Sequence, residues 1–290
     1  LANAVAKEAG DLCISRPKSR LGWGIELPFD RDYVTYVWFD ALMNYATFAG
    51  YRSKDGAGLP DFKSLWPCDA HVIGKDILVP AHGIYWPIML KAAGFETMPK
   101  LLVHGWWNLG GAKVSKSAGN VVDPDALADR YGTDALRYYL MRDIATGQDA
   151  DFNEERLRAR YNADLANDLG NLLNRTLGMA KKYCQGIVPA IAPDEISLDH
   201  PLKSLSANLA PGVAQSYKTL AFSQACEQIL NLIRAGNKYI DEQAPWSLYK
   251  QGEQKAVEEV IYTVLESVRL AAYLLSPIIP QVSTDRKSVV

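Results

Sequence analysis

The chain has 290 residues, 48% of them hydrophobic and 22% charged, with a formal net charge of −2 and a pI near 6.1. That is material for about two domains with a sizeable core, which sets aside global disorder, and the near-neutral balance confines any polyanion contact to local patches. Four cysteines, Cys13, Cys68, Cys184 and Cys226, form no Cys-x-x-Cys pair, and no apolar run nears the ~18 residues of a membrane span, so a reduced, cytoplasmic protein without structural zinc is expected.

The opening "LANAVAKEAGDLC" reads as the interior of a helix, and the polar "STDRKSVV" at the other end reads as an irregular tail over 283–290. Both suggest a fragment. In between, "YVTYVWF" (33–39), "AHVIGKD" (70–76) and "KLLVHGWW" (100–107) are short, β-branched, aromatic and bounded by turn residues, as strands are. "HGIYWPIMLKAAGF" (82–95) has helical spacing and stops at Gly94, so strands alternate with helices as in a parallel sheet. Asp123 and Pro124 predict an N-cap and first turn, with helix continuing through "DALADRYGTDALRYYLMRD". From Asn153 onward no strand is expected. Leu and Ala recur at three- and four-residue spacings through 157–183, 220–243 and 254–277, with Pro-rich connections such as 185–201, which predicts an α-helical bundle. The expected fold is thus α/β with a partial, Rossmann-like parallel sheet, followed by an all-α bundle.

Four stretches have residue types suited to chemistry. "NLGGAKVSKSAGNVVDP" (108–124) sets Lys113 and Lys116 beside Ser115 and Ser117. It matches neither the P-loop nor the Gly-x-Gly-x-x-Gly fingerprint. Gly110, Gly111 and Gly119 would let a backbone approach a ligand, and the lysines could neutralise phosphate charge developing in a transition state; a solvated surface turn explains the same residues. In "HVIGKDILVPAHGIYWP" (71–87) a strand ends at Gly74 with Asp76 just after it, where an α/β sheet binds ligands. Asp76 suits ribose hydroxyls, or simply a capped loop. Trp38, Ala41 and Tyr45 in "YVWFDALMNY" share helical spacing, either as core or as the wall of a pocket for a thioether side chain. Asn167, Asn171 and Arg175, at i, i+4 and i+8, offer base-edge or phosphate contacts, and Trp246 offers a stacking face; a solvated polar face and a packed loop are the ordinary alternatives.

Together these stretches resemble one family, the methionyl-tRNA synthetases of class I. "GAKVSKSAGN" is similar to their Lys-Met-Ser-Lys-Ser loop, with Val114 in place of Met. "ISRPKSRLGWGIELP", "YVWFDALMNY", "HVIGKDI…HGIYWP", "NVVDPDALADRYGTDALRYYL", "NADLANDLGNLLNR" and "DEQAPW" resemble further family motifs in the family's order, and the resemblance spans nearly all of 8–280. It implies that ATP with Mg2+ and methionine form methionyl-adenylate, and that the methionyl group then passes to tRNA(Met). Carried over by position, it implies catalytic roles for Lys113, Lys116 and Arg16 and ATP binding by Gly74, Asp76, His104, Lys113, Ser115 and Lys116. It implies methionine binding by Trp38, Ala41, Tyr45, Ile77 and His82, and anticodon binding by Asn167, Asn171, Arg175 and Trp246. It divides the chain into the end of a connective insertion (1–32), the second half of the catalytic domain (33–152), the anticodon-binding bundle (153–282) and the tail.

Three departures stand against the family pattern. "ILVPAH" is one residue longer than expected before His82, Leu42 stands where many relatives have Pro, and none of the four histidines, His71, His82, His104 and His200, forms a His-x-Gly-His element. The chain therefore reads as the carboxy-terminal part of such an enzyme, expected to be inactive alone. The rival readings are another class I synthetase, for isoleucine, valine, leucine or cysteine, and a non-catalytic tRNA-binding fragment.

Overall fold

The structure, a computed structural model, describes residues 12–53, 58, 61–113, 122–192 and 194–287. The expected helix at the amino terminus, over residues 1–11, lies outside them. The chain divides into two compact units, residues 1–106 and 107–290.

The first unit opens with a small antiparallel sheet of β1 (Ser15–Pro17), β2 (Glu26–Leu27) and β3 (Asp30–Thr35), in the order β1-β3-β2. The strand expected over 33–39 stops at Thr35, and α1 (Val37–Ala41) begins after an extended Tyr36. The aromatic and β-branched composition of Val37–Phe39 signals a strand only where a neighbour pairs with it. Next come α2 (Asn44–Phe48) and α3 (Phe62–Leu65), the latter capped by Asp61, whose carboxylate accepts from the Lys63 amide. Then β4 (His71–Gly74) pairs in parallel with β5 (Leu101–His104), and α4 (Trp86–Ala92) lies in the connection between them. This is the βαβ unit that the alternation predicts. Leu42, Ala81, Trp86 and Leu90 form its core, with Trp66, Phe95 and Leu101 packed against them. Much apolar surface remains uncovered: Trp23 is 79% exposed, Phe29 76%, Phe48 71% and Val72, on β4, 62%.

In the second unit β6 (Trp107–Leu109) pairs antiparallel with β7 (Ala112–Lys113) and in parallel with β8 (Ala150–Asp151). The helix predicted from Pro124 is two helices, α5 (Pro124–Tyr131) and α6 (Thr133–Arg142). They part at Gly132, whose φ of 87° a helix does not accept. The bundle follows: α7 (Glu154–Arg160), a stretch Tyr161–Gly170 widened to π-helical turns, α8 (Asn171–Tyr183), α9 (Pro201–Lys218), α10 (Phe222–Gln243), α11 (Pro245–Lys250) and α12 (Gln254–Leu275). The polar run from Ser283 is not an irregular tail, since α13 spans Pro280–Lys287. Asp134 of α6 accepts from the Val282 amide at 2.8 Å and so caps its first turn.

One apolar cluster holds the bundle, with Leu172 of α8, Ile229 and Ile233 of α10 and Ile261, Val264 and Val268 of α12 fully buried. Tyr138 of α6 belongs to the same cluster, and its hydroxyl donates to the buried Asp164 at 2.9 Å. Arg142, Arg160 and Arg234 reach Asp164 at 3.7, 3.8 and 3.4 Å. Removing a single partner from a buried ionic cluster costs about 3–5 kcal/mol. Asp164→Ala is therefore expected to lower the stability of the second unit by roughly that amount, read as the midpoint of helical unfolding in urea.

The two units are also expected to unfold separately. Five of the seven tryptophans, Trp23, Trp38, Trp66, Trp86 and Trp106, lie in the first unit, whereas the long helices lie in the second. Indole fluorescence should therefore change at lower denaturant than far-ultraviolet circular dichroism. Coincident transitions would show one cooperative body instead.

Candidate functional site

In the first unit a group of aromatic rings gathers around His71, the first residue of β4, and the wide turn that follows the strand. After Ile77 the chain makes a wide turn over Leu78–Tyr85, in which Val79 steps out to an extended conformation (φ −115°, ψ 125°) before the helix resumes. The "LVPAH" run lies within this turn, and His82 is buried there. Its Nδ1 lies 2.9 Å from the Ile77 carbonyl, which can only accept. The ring proton therefore sits on Nδ1, leaving Nε2 to accept from the Tyr45 hydroxyl at 3.0 Å. Tyr45 is thus brought to His82 and Ile77. Trp38 and Ala41 lie on the preceding α1, joined to α2 by Leu42 and Met43 in helical backbone.

Three further rings complete the group, and none is among the residues singled out from sequence. His71 stands edge-on to Tyr45 with centroids 4.1 Å apart, and Trp86 lies 5.4 Å from Tyr45 and 4.7 Å from His71. Trp66 meets Trp86 at 6.3 Å. A cleft of about 370 Å³ opens here, lined by Asn44, Tyr45, Phe48, Trp66, Cys68 and His71. The sequence signal was available for two of them, since His71 opens the predicted strand and Trp86 follows His82 by one helical turn. Trp86 is fully buried, and its indole N–H has no hydrogen-bond partner among the described residues. Burial raises the Tyr45 pKa. Burial, and secondarily the neighbouring His82, lowers that of His71.

At the end of β4 the bare face of Gly74 is occupied from within the chain. A Cβ there would lie 2.6 Å from the Asp76 carboxylate, so glycine is needed to let Asp76 turn back across the strand end. His104, paired with Gly74 in register, donates from Nδ1 to the Gly105 carbonyl at 2.8 Å. Lys75 lies 4.3 Å above the Trp106 ring. Arg16, on β1, stacks its guanidinium 4.0 Å from the Tyr36 ring.

The Lys-Ser stretch belongs to the second unit. Gly110 and Gly111, with φ of 61° and 79°, form the two-residue turn between β6 and β7, which requires left-handed backbone at both positions. Both glycines thus serve a hairpin turn, and Gly110 also lines the cavity beside it. The Gly111 amide donates to Asp151 of β8 at 3.1 Å, which fixes the turn. Lys113 ends β7, while Ser115, Lys116 and Gly119 lie outside the described residues. On the far side Asp123 accepts from the Asp125 and Ala126 amides and starts α5. Both flanks of the stretch are thus pinned, and a cavity of about 570 Å³ opens between them, lined among others by Leu109, Gly110, Val122, Asp123, Asp151 and Phe152.

On the bundle, Asn167 and Asn171 are exposed and Arg175 is half-buried. Arg175 donates to Asp241 of α10 at 2.6 Å. Trp246, on α11, is 40% exposed. The even i, i+4 spacing does not hold throughout, since Asn167 sits in the widened stretch while Asn171 and Arg175 sit on regular α8. Among the described residues no group of three His, Cys, Asp or Glu side chains could hold a metal, and no helix is long and apolar enough to cross a membrane.

With this geometry in place, comparison with known proteins decides the family. The family "tRNA synthetases class I (M)" matches residues 1–177, and "Anticodon binding domain of methionyl tRNA ligase" matches residues 193–289. The chain belongs to the methionyl branch of the class I tRNA synthetases. It is similar to the methionine–tRNA ligase of Synechocystis sp., 51% identical over 97% of this chain and 52% of that protein. The methionine–tRNA ligase of a Nostoc species is 50% identical over 98% of this chain and 53% of its own length. Among solved structures, Mycobacterium tuberculosis methionyl-tRNA synthetase in complex with methionyl-adenylate matches with a TM-score of 0.86 and 37% identity, over 98% of this chain and 56% of that one. The chain thus spans about half the length of these relatives. The class I match runs past Asn167, Asn171 and Arg175 as far as residue 177, whereas Trp246 lies within the anticodon-binding match.

The ring group of this synthetase chain is expected to be acid-sensitive. The folded state lowers the His71 pKa below its ordinary 6.5, so unfolded chains bind more protons in the window below that value. Stability of the first unit then falls as pH drops through about 6.5 and is retained above it. The fluorescence-detected midpoint should decline between about pH 7.5 and about pH 5.5, and His71→Gln should flatten that decline.

Proposed function

We propose that this chain supplies the methionine pocket, part of the ATP site and the anticodon-reading bundle of a methionine–tRNA ligase, with residues 33–152 as the second half of the catalytic domain and 153–282 as the bundle. The observation that carries this reading is the Tyr45–His82 hydrogen bond, which joins α2 to the wide turn after β4. There a polar pair sits within an apolar, aromatic wall that suits a thioether, with Trp38, Ala41 and Ile77 completing it. Gly74, Asp76 and His104 gather at the strand end where a doubly wound sheet binds nucleotides.

In the first step the methionine carboxylate attacks the α-phosphorus of ATP, the bond to the bridging oxygen breaks and pyrophosphate leaves. Lys113 and Lys116 neutralise the charge that gathers on the departing phosphates, and Ser115 donates to them. Arg16, steadied on Tyr36, faces the activated substrate. Mg2+ bound to the triphosphate would supply further neutralisation of its charge. In the second step the ribose hydroxyl at the 3′ end of tRNA(Met) takes the methionyl group and AMP leaves. Asn167, Asn171 and Arg175 read anticodon base edges while Trp246 stacks on a base. Work of this kind is cytoplasmic.

Amino-acid-dependent ATP–pyrophosphate exchange tests this. The sequence contains no His-x-Gly-His element, so the 290-residue chain is expected to show little exchange alone and methionine-specific exchange once the amino-terminal half of a relative is supplied. Lys116→Ala should then lower the exchange rate by about 10²–10³, while Asn171→Ala should leave exchange intact and weaken tRNA binding. Absence of exchange with any amino acid in both arrangements would retire the catalytic assignments and leave an RNA-binding bundle.

A further inference from the structure

Beyond the Asn167–Arg175 row, α8 continues to an aromatic and basic surface that the reading above does not use. Tyr183, the last residue of α8, packs its ring against Tyr249 of α11, with centroids 4.6 Å apart and planes tilted by 36°. Tyr249 is 46% exposed, and Trp246 stands three residues earlier on the same short helix, on the side that an i, i+3 spacing shares. Lys182 places its ammonium 5.2 Å from the Tyr183 ring. Lys181, Lys182 and Lys250 are exposed, and among the described residues none of the three is ion-paired.

The platform is rigidly presented. Pro245 is buried and Leu248 packs on the bundle core, which seats α11. The Gln254 side chain donates to the Tyr183 carbonyl at 3.1 Å and to Glu258 at 2.8 Å. At the end of α10, Asp241 pairs with Arg175 and Glu242 with Lys238, while Glu253 follows Lys250 by three residues. The result is a set of rings with solvent-facing area beside three exposed lysines and one exposed carboxylate. That combination takes an unstacked base on a ring face and its phosphates on the cations, without demanding a particular base.

We propose that Tyr249, backed by Tyr183, is a stacking subsite for an anticodon-loop base outside the triplet, with Lys181, Lys182 and Lys250 tracking the adjoining phosphates. The proposal rests on the reading that the α8 row meets the anticodon, and extends the RNA path along the same helix by a further two turns. It assigns sequence-independent affinity to this end of α8 and leaves triplet discrimination to Asn167, Asn171 and Arg175.

The test uses the full 290-residue chain and an anticodon stem-loop RNA of tRNA(Met), with 2-aminopurine placed in turn at each position flanking the triplet. Binding is followed by fluorescence. Stacking on Tyr249 should quench the probe at one of the two positions. Tyr249→Leu should abolish that quenching and weaken binding by about fivefold to a hundredfold, the range of one base–aromatic stack, while Tyr249→Phe retains both. Discrimination against a changed anticodon should be the same in Tyr249→Leu as in the unaltered chain. Lys182→Ala should reduce the slope of log affinity against log salt by about 0.7, one phosphate contact on a single strand. Unchanged helical circular dichroism confirms that the variants fold. Binding that needs Asn171 and Trp246 but is indifferent to Tyr249→Leu would overturn the subsite and leave the proposed function standing. Failure of the unaltered chain to bind the stem-loop at all would overturn both.

Discussion

The second unit turns on one carboxylate. Asp164 is almost wholly buried, yet three guanidinium groups, from Arg142, Arg160 and Arg234, and the Tyr138 hydroxyl converge on it. Bringing charges out of water is costly unless the geometry returns the loss through close pairing and hydrogen bonds. Here the pairing is extensive: Arg234 also binds Asp168 and Glu227 at 3.0 Å each, Arg160 binds Asp143 at 3.1 Å, and Arg142 binds Glu227. These residues come from α6, α7 with its widened continuation, and α10. A slip of any of these helices by one residue would strand a charge, so the cluster fixes the register that an apolar core alone would leave adjustable.

That register has consequences on both sides. Asp164 and Asp168 lie in the widened stretch Tyr161–Gly170, where the helix has given up its regular hydrogen-bond spacing, and it is there that the arginines pair with it. Asn167 is therefore presented from a turn whose pitch differs from that of Asn171 and Arg175. Close beyond, a Cβ on Gly236 of α10 would come within 3.1 Å of Leu172, so α10 approaches α8 directly beneath Asn171 and seats Asp241 where Arg175 can reach it. In the other direction α6 follows α5, whose cap at Asp123 anchors one end of the Lys-Ser stretch. The polar row and that anchor are thus parts of one rigid frame.

How much of this was legible in the sequence depended on whether a feature has a local cause. The Asp123–Pro124 start, the β4 strand and the long amphipathic helices all have local signals and were read from them, whereas the Asn153 cap, which accepts from the Arg156 amide at 3.1 Å, was not. Gly110 and Gly111 were identified as special, but their hairpin was not read, because a Gly-Gly pair serves a two-residue turn as readily as a ligand approach. The helix at Val37–Ala41 read as strand because the decision lay with pairing partners that a one-dimensional pattern does not contain. The widened turn was not read either: the arginines that pair with its carboxylates lie up to 70 residues away. His71 and Trp66 escaped for a related reason, since an aromatic residue at the start of a strand or just after a short helix is ordinary until the fold brings His71 against Tyr45 and Trp66 against Trp86.

The two units consequently hold their functional residues by different physics. In the second, ionic geometry and a continuous apolar cluster specify position, so the frame resists change until a charge is orphaned. In the first, the described core is small, and Tyr45 and His82 are located by edge-on and tilted contacts among rings. Such contacts are directional but individually worth only about 0.5–1.5 kcal/mol beyond the area they bury. A wall of this kind can shift its rings with little loss, which suits a flexible, polarizable side chain better than a rigid one. The hydrogen bond from Tyr45 to His82, with the imidazole itself tethered to Ile77, is then the element that limits the adjustment. It ties α2 to the wide turn through a single fixed tautomer, leaving the apolar rings free to adapt around it.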